Sequence, residues 1–379
     1  MNILVNCSNL KTGGGIQVAD SVCCQLYRYE KHQFVVVLSS FMKGTGARIA
    51  GVGNVVSFYY DIRNNASTII LGRGSYLDRL VEEYQVQVVL TVFGPSRWNP
   101  RVAHLSGFAM PHLVIPESPF FKRMGVLNQC LWKTKSTLLT YFFRRSTCFF
   151  WTENPYISER FSALVKGTGG SKKHGIVYTI SNNYNQVFDM PDAWKSHSLP
   201  AFDGTTCLSV SSFYPHKNFP ILVEIARILE CKYPKFKFRF VLTFDVGQMG
   251  VPDDLKQHFL FIGKVDVSEC PDLYRQANVM VMPTLLECFT ATYPEAMRME
   301  RPIVTTDLEF ARGLCGNAAC YYSAVDAEAC ADAIYKVATD KEYAAQLVAN
   351  GKEQLKKYDN YEQRADKLIG ILEEMMSHR

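Results

Sequence analysis

Two glutamates with seven residues between them, Glu287 and Glu295, are the residues in this sequence whose spacing first suggests chemistry. Glu287 follows the apolar run VMVMP, which predicts a buried strand, and Glu295 lies where a helical pattern begins. A carboxylate can accept hydrogen bonds from two neighbouring hydroxyls, and the unpaired N–H groups of a helix start favour phosphate. The stretch LLECFTATYPEAM therefore predicts a site for sugar hydroxyls and a phosphate. The alternative is an ordinary pair of surface glutamates.

Two further segments end predicted strands in the same half of the chain. The loop FYPHKN follows the strand-like TTCLSVSS and brings His216 and Lys217 to the carboxyl end of that strand. A lysine there can neutralise a diphosphate as a point charge, and the alternative is a solvated loop lysine. The segment FIGKV ends another strand with Gly263, where the missing side chain lets backbone approach a flat ligand such as a base.

A glycine-rich turn, KTGGG, follows the first strand-like segment of the chain. Its glycines, Gly13, Gly14 and Gly15, would let backbone N–H groups approach a phosphate or an acceptor with no side chain in the way. Neither GxGxxG nor GKS occurs here, so the sequence predicts neither a dinucleotide fingerprint nor a P-loop. The alternative is a tight turn that binds nothing.

The composition excludes several classes of protein. The net charge of +5 is mild and forms no basic stripe, so no nucleic-acid partner is expected. The 12 cysteines are scattered without a CxxC pair or a Cys/His cluster, which argues against zinc and for a reducing compartment. Neither a signal peptide nor an apolar run long enough to span a membrane is present, so we expect a cytoplasmic protein.

Alternating strand-like and helix-like segments predict an α/β protein. A length of 379 residues suggests two domains, and a polar stretch that begins NYNQVFDMPD separates two such alternations. We therefore expect two Rossmann-like, doubly wound domains, 1–185 and 200–360, facing each other across a cleft. The amphipathic end of the chain, about 362–379, is expected to pack back on the first domain. Ligands of such sheets bind beyond the carboxyl ends of the strands.

Taken in order, SSFYPHKN, FIGKV and the two glutamates followed by EAMRMERPIVTTD resemble the retaining, nucleotide-sugar-dependent glycosyltransferases of family 4, which have the GT-B fold. The segment KTGGGIQVA is similar to the glycine-rich first loop of that family. The resemblance implies transfer of a hexosyl group from a nucleotide diphosphate sugar to a hydroxyl of a lipid-linked glycan acceptor, in surface polysaccharide synthesis. It also implies catalysis without a metal or cofactor, with 200–360 binding the nucleotide sugar and 1–185 on the acceptor side.

The resemblance assigns roles to matching positions. Glu287 is expected to contact the donor sugar, Lys217 to be the cation for the diphosphate, and His112 to lie near the sugar from the first domain; these three are the predicted catalytic residues. Glu295 is expected to hold the nucleotide ribose. The other predicted donor-binding residues lie in loops and turns and are Gly14, Gly15, Ser212, Gly263, Lys264, Val265, Phe289, Thr290, Ala291 and Thr292.

Three positions depart from the family pattern. Ser212 occupies the place where many members have an arginine, so phosphate binding would depend more on Lys217. Cys288 replaces the glycine that usually follows the first glutamate, which would reshape the sugar pocket. The usual His-Asp pair is absent. Of the two candidate histidines, His112 follows the strand-like GFAM and is the better placed, and His104 is expected to be structural.

Residues 117–150 combine basic and aromatic side chains with a single acidic residue. Such a combination is typical of helices that lie on an anionic membrane surface, so we expect a peripheral protein at the inner face of the membrane. The alternatives are ordinary core-packed helices or a nucleic-acid face. The six basic residues of the segment are Lys122, Arg123, Lys133, Lys135, Arg144 and Arg145.

Two other classes of function are compatible with the sequence. One is a GT-B sugar-nucleotide epimerase, and the other is a non-catalytic protein that binds nucleotide sugars or glycans. The presence of Glu287, Glu295 and Lys217 together argues against the second.

Overall fold

A computed structural model describes residues 1–11, 13–61, 66–166 and 175–377 of the chain. The chain forms two compact units, and each contains its own sheet. The first unit comprises Met1–Pro116, Met124–Asn182 and Asp359–Arg379, and the second comprises Glu117–Arg123 and Asn183–Tyr358. The short segment Glu117–Arg123 thus groups with the second unit, although it falls inside the range 1–185 predicted for the first domain.

The first unit is built on a parallel sheet of seven strands in the order β3-β2-β1-β4-β5-β6-β7. The order reverses direction between β1 and β4, which is the signature of a doubly wound sheet. The strands are β1 Asn2–Asn6, β2 Gln33–Leu38, β3 Val55–Tyr60, β4 Val88–Thr91, β5 Ala103–Gly107, β6 Phe149–Thr152 and β7 Ile176–Thr179. The helices are α1 Gly14–Cys23, α2 Lys43–Ile49, α3 Ala66–Leu71, α4 Tyr76–Glu83, α6 Val126–Ser146, α7 Pro155–Val165 and α14 Tyr361–Ser377.

Both faces of the first sheet are covered by helices, which explains why its central strands are continuous apolar runs. Ile3 and Val5 of β1 belong to the hydrophobic core on one face, and Leu4 belongs to a second cluster on the other face. Leu368 and Leu372 of α14 lie in the same core as Ile3 and Val5. The end of the chain therefore packs as an integral helix of this unit.

The second unit contains a parallel sheet of six strands in the order β10-β9-β8-β11-β12-β13. The strands are β8 Thr205–Ser209, β9 Phe238–Leu242, β10 Phe259–Phe261, β11 Val279–Met282, β12 Ile303–Thr306 and β13 Ala319–Tyr322. The helices are α5 Pro119–Lys122, α8 Ile221–Lys232, α9 Cys270–Gln276, α10 Thr292–Arg298, α11 Glu309–Cys315, α12 Ala327–Thr339 and α13 Lys341–Leu355. The predicted α/β class with two Rossmann-like parallel sheets is confirmed.

None of the helices in the described part of the chain combines the length and the apolar character that a membrane span requires.

Candidate active site

The loop after β8 places Lys217 at the carboxyl edge of the second sheet. Pro215 begins a 3₁₀ turn, Pro215–Lys217, because its fixed φ suits the first position of a helical turn. Asn218 ends the turn with a φ of 57°, a left-handed conformation that asparagine adopts more readily than most residues. The Lys217 side chain is buried, so the alternative of a solvated loop lysine does not hold.

Lys217 and Glu287 form a buried ion pair. The Lys217 Nζ lies 2.5 Å from the Glu287 Oε1, and the two side chains are only 10% and 9% exposed. The Thr284 hydroxyl, at the end of β11, donates a hydrogen bond of 2.8 Å to the same carboxylate oxygen. Two neighbouring strands therefore hold opposite charges together where little water screens them. The pair offers a cation for an anionic ligand and a carboxylate for a hydroxyl.

Glu295 occupies the first turn of α10 and is also buried. The Tyr274 hydroxyl, from α9, donates to the Glu295 Oε2 over 3.1 Å. Burial raises the pKa of the Glu295 carboxyl from 4.5 to about 7, an effect that the hydrogen bond from Tyr274 only partly opposes. Glu287 and Glu295 are each 7% exposed, so the alternative of two surface glutamates is wrong.

The residues between the two glutamates form a tight, largely buried turn. The Thr290 and Thr292 hydroxyls lie 3.2 Å apart, and the Thr292 hydroxyl donates to the Val210 carbonyl over 3.1 Å. Cys288, at the position of the usual family glycine, is buried, whereas Phe289 and Ala291 are half-buried. The turn is thus tied to the loop that follows β8, which is the loop that carries Lys217.

The predicted base-binding residues follow β10, the edge strand of the same sheet. Gly263 has a φ of 71°, so a side chain there would strain the backbone, and a Cβ would lie 3.3 Å from the Asp245 Oδ1. Lys264 is exposed and Val265 is half-buried beside it. Ser212, after β8, is exposed as well. These residues lie at the same carboxyl edge of the sheet as the ion pair, but within the described part of the chain none of them forms a hydrogen bond or ion pair with Lys217 or Glu287.

In the first unit, the glycine-rich turn leads directly into α1. Gly13 has a φ of 72° and is the glycine that the backbone requires. A Cβ on Gly14 would meet no atom within 4 Å, and one on Gly15 would make ordinary contacts of 3.5 Å with Leu10 and Phe93. The turn therefore needs one glycine, Gly13, for its conformation; Gly14 faces open space, whereas Gly15 packs against Leu10 and Phe93. Thr12 of the predicted loop lies outside the described residues.

The two candidate histidines have different surroundings. His104 is fully enclosed, with Nδ1 donating to the Ser146 carbonyl over 3.0 Å and Nε2 accepting from the Thr91 hydroxyl over 2.8 Å. Burial lowers its pKa to about 4, so the ring stays neutral, as expected of a structural residue. His112 is half-buried in the 3₁₀ turn Pro111–Leu113 that follows β5, and its ring meets the edge of the Trp132 ring at 4.8 Å.

Solved structures of other proteins have the same fold. The structure of sucrose-phosphate synthase from Thermosynechococcus elongatus aligns over 100% of this chain and 100% of its own, with a TM-score of 0.68 and 14% identity. The structure of Anabaena Alr3699/HepE in complex with UDP-glucose covers 99% of this chain and 100% of its own, with a TM-score of 0.65 and 12% identity. The fold is the GT-B fold of glycosyltransferases.

The second GT-B domain also carries a sequence match. Residues 204–373 match the family model described as Glycosyl transferases group 1. The O-antigen chain mannosyltransferase RfbU of Salmonella typhimurium is 26% identical over 132 residues, which are 34% of this chain and 37% of the relative. The chain spans little more than a third of the length of the curated relatives that it matches.

Two buried charged residues of the first GT-B domain, Glu153 and Arg364, escaped the sequence interpretation. Glu153 directly follows β6, and burial raises the pKa of its carboxyl to about 7. Burial lowers the pKa of the nearby Arg364 guanidinium, on α14, to about 10. Arg364 donates to the Ser21 hydroxyl over 2.6 Å and to the Asn182 side chain. A charged residue that ends an apolar strand was the available signal for Glu153, but its partner comes from the far end of the chain.

The ion pair leads to a prediction about stability. Glu287→Ala is expected to lower the free energy of unfolding by about 3–5 kcal/mol, because it leaves the Lys217 ammonium buried without a counter-charge. Glu287→Gln keeps the acceptor for Thr284 but still removes the charge, so its loss should be smaller than that of Glu287→Ala. The double variant Lys217→Met/Glu287→Gln removes both charges and should recover most of the loss. Urea unfolding measures all three, and equal stability of Glu287→Ala and the parent chain would refute the buried pair.

Proposed function

We propose that the protein is a retaining glycosyltransferase that moves a hexosyl group from a nucleotide diphosphate sugar to a hydroxyl of a glycan acceptor. The observation that carries the proposal is the buried Lys217–Glu287 pair, with Glu295 one turn into the next helix of the same sheet edge. The match of residues 204–373 to a glycosyltransferase family supports it. The UDP-glucose complex of the Anabaena structure supports a nucleotide-sugar donor, and the O-antigen mannosyltransferase supports a role in surface polysaccharide synthesis.

The reaction exchanges one bond at the anomeric carbon for another. The bond from that carbon to the diphosphate oxygen breaks, and the acceptor oxygen bonds to the same face of the sugar. The acceptor proton passes to an oxygen of the departing diphosphate, so no protein nucleophile is needed. Lys217 stabilises the negative charge that develops on the departing diphosphate. Such electrostatic stabilisation of the transition state is usually the largest single contribution to catalysis. With this cation in place the mechanism requires neither a metal nor a cofactor.

The other site residues hold the donor. Glu287 accepts from a hydroxyl of the hexose, and Glu295 accepts from the ribose. The backbone around Phe289 and Thr290 lines the sugar, that of Ala291 and Thr292 lies along the diphosphate together with Ser212, and Gly263, Lys264 and Val265 border the base. In the first domain, Gly14 and Gly15 are assigned to a phosphate or the acceptor, with open space beside Gly14, and His112 is assigned to the sugar.

A thermal-shift screen against nucleotide diphosphate sugars tests the donor class. A ligand that binds only the folded protein raises the melting temperature, and the shift grows with the logarithm of the ratio of ligand concentration to dissociation constant. We expect one base and one sugar to give the largest shift, and we expect Glu295→Ala to abolish it. The absence of a shift with every donor would contradict the proposal. Incubation of the best donor without acceptor separates a transferase from an epimerase, which would return an isomeric sugar nucleotide.

The first GT-B domain offers a surface for a membrane, and this is the second part of the proposal. Helix α6 is 21 residues long and contains basic but no acidic residues. Leu127, Leu131, Leu138 and Tyr141, all more than half exposed, follow a helical repeat and lie along one face. Lys135 flanks this face, with its Nζ 4.6 Å from the centre of the Trp132 ring. An apolar stripe flanked by lysines suits an anionic bilayer, so we propose a peripheral enzyme at the cytoplasmic face acting on a lipid-linked acceptor.

We narrow the proposed membrane segment from 117–150 to α6. Arg144 donates to the Leu164 carbonyl over 2.6 Å, and Arg145 donates to the carbonyls of Ile69, Ile70 and Arg97. These arginines therefore join elements of the first unit instead of facing a bilayer. Core packing accounts only for the end of the helix, where Phe142, Phe143 and Ser146 are buried.

The double variant Lys133→Glu/Lys135→Glu is expected to weaken binding to vesicles that contain phosphatidylglycerol by at least about tenfold, since each basic residue near an anionic surface contributes to attraction. Co-sedimentation measures the bound fraction. Lys235→Glu/Lys341→Glu changes the net charge equally on exposed positions of the second unit and should bind like the parent chain. Equal loss in both double variants would show that net charge alone, and not α6, controls the interaction.

A further inference from the structure

The segment Glu117–Arg123 is a packed part of the second unit, although the chain on both sides of it belongs to the first. It contains the short helix α5, which begins at Pro119. The Ser118 hydroxyl accepts a hydrogen bond of 3.2 Å from the Phe120 N–H and so caps this helix. Ser118 and Phe120 are both buried. The segment is therefore fixed against the second unit at defined points.

One of these points is the turn that carries Glu287. The Ser118 hydroxyl donates a hydrogen bond of 2.6 Å to the Leu285 carbonyl. Leu285 lies two residues before Glu287, and its own N–H donates to the His216 carbonyl over 2.8 Å. The serine thus holds the backbone that joins the Glu287 turn to the Lys217 loop.

Two further contacts reach the residues on either side of Lys217. The Phe120 ring meets the His216 ring edge-on, with centroids 6.2 Å apart and planes at 89°. The Arg123 guanidinium donates from Nη1 to the Asn218 Oδ1. His216 and Asn218 directly precede and follow Lys217, so the segment contacts the side chains on both sides of the cation.

The chemistry of the Arg123–Asn218 contact makes it directional. A guanidinium has donors and no acceptor, so the Asn218 amide must present its oxygen to Arg123. A hydrogen bond from a charged donor is stronger than a neutral one, and Asn218 is buried. Arg123 therefore fixes the side chain of the left-handed residue that ends the Lys217 turn. Within the loop 211–218, Lys217 is the one formally charged residue. No second cation of that loop can therefore compensate if the Lys217 ammonium is misplaced.

We propose that Arg123 is a positioning residue for the departing diphosphate, acting through Asn218 on the ammonium of Lys217. This inference rests on the function proposed above. It assigns Arg123 a role in the second unit, in place of the membrane contact predicted from its sequence neighbourhood. It also makes Glu117–Arg123 part of the donor site, although the segment lies between elements of the first unit in the chain.

Steady-state kinetics with the best donor tests the proposal. Arg123→Ala is expected to lower kcat/KM for the donor by about 10- to 100-fold, mostly in kcat, because a misplaced charge loses most where charge develops. Arg123→Lys keeps one charged donor and should recover to within about threefold of the parent chain. Asn218→Gly tolerates the left-handed φ but has no amide, so it should match Arg123→Ala. The double variant Arg123→Ala/Asn218→Gly should then lose no more than either single variant.

Arg227→Ala is the matched control, because it removes an exposed arginine of the same unit that bonds to Asp254. It should leave both kinetic constants unchanged. If the parent chain turns over the donor but Arg123→Ala does so equally well, or if the losses multiply in the double variant, the positioning role is wrong and the proposed function stands. If the parent chain neither turns over nor binds any nucleotide diphosphate sugar, the proposed function fails and this inference fails with it.

Discussion

Lys217→Met is expected to lower the rate of hexosyl transfer by about 10²- to 10³-fold, the usual cost of removing one fixed group that stabilises developing charge. The ammonium is held 2.5 Å from Glu287 in a buried site, so no water or mobile side chain can readily replace it. Methionine fills similar space without the charge. Single-turnover measurement with saturating donor isolates this effect from donor binding.

The variant also leaves the Glu287 carboxylate buried without a counter-charge, and instability must be separated from lost catalysis. Lys217→Met/Glu287→Gln removes both charges and should regain stability while turnover stays at the level of Lys217→Met or below. If transfer returns together with stability, Lys217 serves the fold and not the reaction. Full activity of Lys217→Met would remove Lys217 from the mechanism altogether.

Glu295→Gln is expected to weaken donor binding by about 10- to 100-fold above pH 8, because hydrogen bonds to an ionised acceptor contribute more than those to a neutral one. Burial raises the pKa of the Glu295 carboxyl to about 7, so the group is largely neutral at pH 6 and largely ionised at pH 8. If the ionised form binds the ribose, the donor dissociation constant of the parent chain should fall about tenfold between these two pH values. Glu295→Gln should show no such change. Calorimetric titration at several pH values measures both.

As the pH rises, the stability of the free protein should fall while donor binding strengthens. A carboxyl whose folded pKa is raised from 4.5 to about 7 contributes stability that is present below 4.5 and is lost as pH rises through 7. Glu295→Gln should therefore gain stability over the parent chain above pH 7. Glu153→Gln is the matched control, because Glu153 also has a pKa of about 7 but lies in the first unit. Glu153→Gln should alter the pH dependence of stability and leave the pH dependence of donor binding intact. If Glu153→Gln also abolished the pH dependence of donor binding, that dependence could not be assigned to Glu295.

The sequence predicted most of what short-range pattern controls. Apolar runs such as those of β1, β2 and β11 identified the strands of two doubly wound sheets, because strands buried on both faces must be apolar throughout. Lys217 and Glu287 could be assigned to one sheet edge, since the carboxyl ends of parallel strands meet there. Their direct ion pair could not be predicted, because side-chain contact across two strands depends on turn geometry at Asn218 and Thr284.

Contacts between distant parts of the chain escaped prediction for the same reason. Arg123, Arg144 and Arg145 belong to a basic, aromatic-rich pattern in the sequence, yet each donates to specific acceptor oxygens elsewhere in its unit. Arg364 is buried beside Glu153, although it comes from an amphipathic terminal helix in which an arginine would ordinarily face water. Local pattern records polarity and periodicity, but not which distant acceptor a guanidinium will find.

Proton NMR of a panel of nucleotide diphosphate sugars incubated with the parent chain and with Lys217→Met tests the central claim most directly. It follows donor loss and the anomeric configuration of the released or transferred sugar in one experiment. We expect the parent chain to consume one donor with retention of configuration and Lys217→Met to do so at least about 10²-fold more slowly. Inverted product, an isomerised sugar nucleotide, or equal rates for the two proteins would contradict this mechanism.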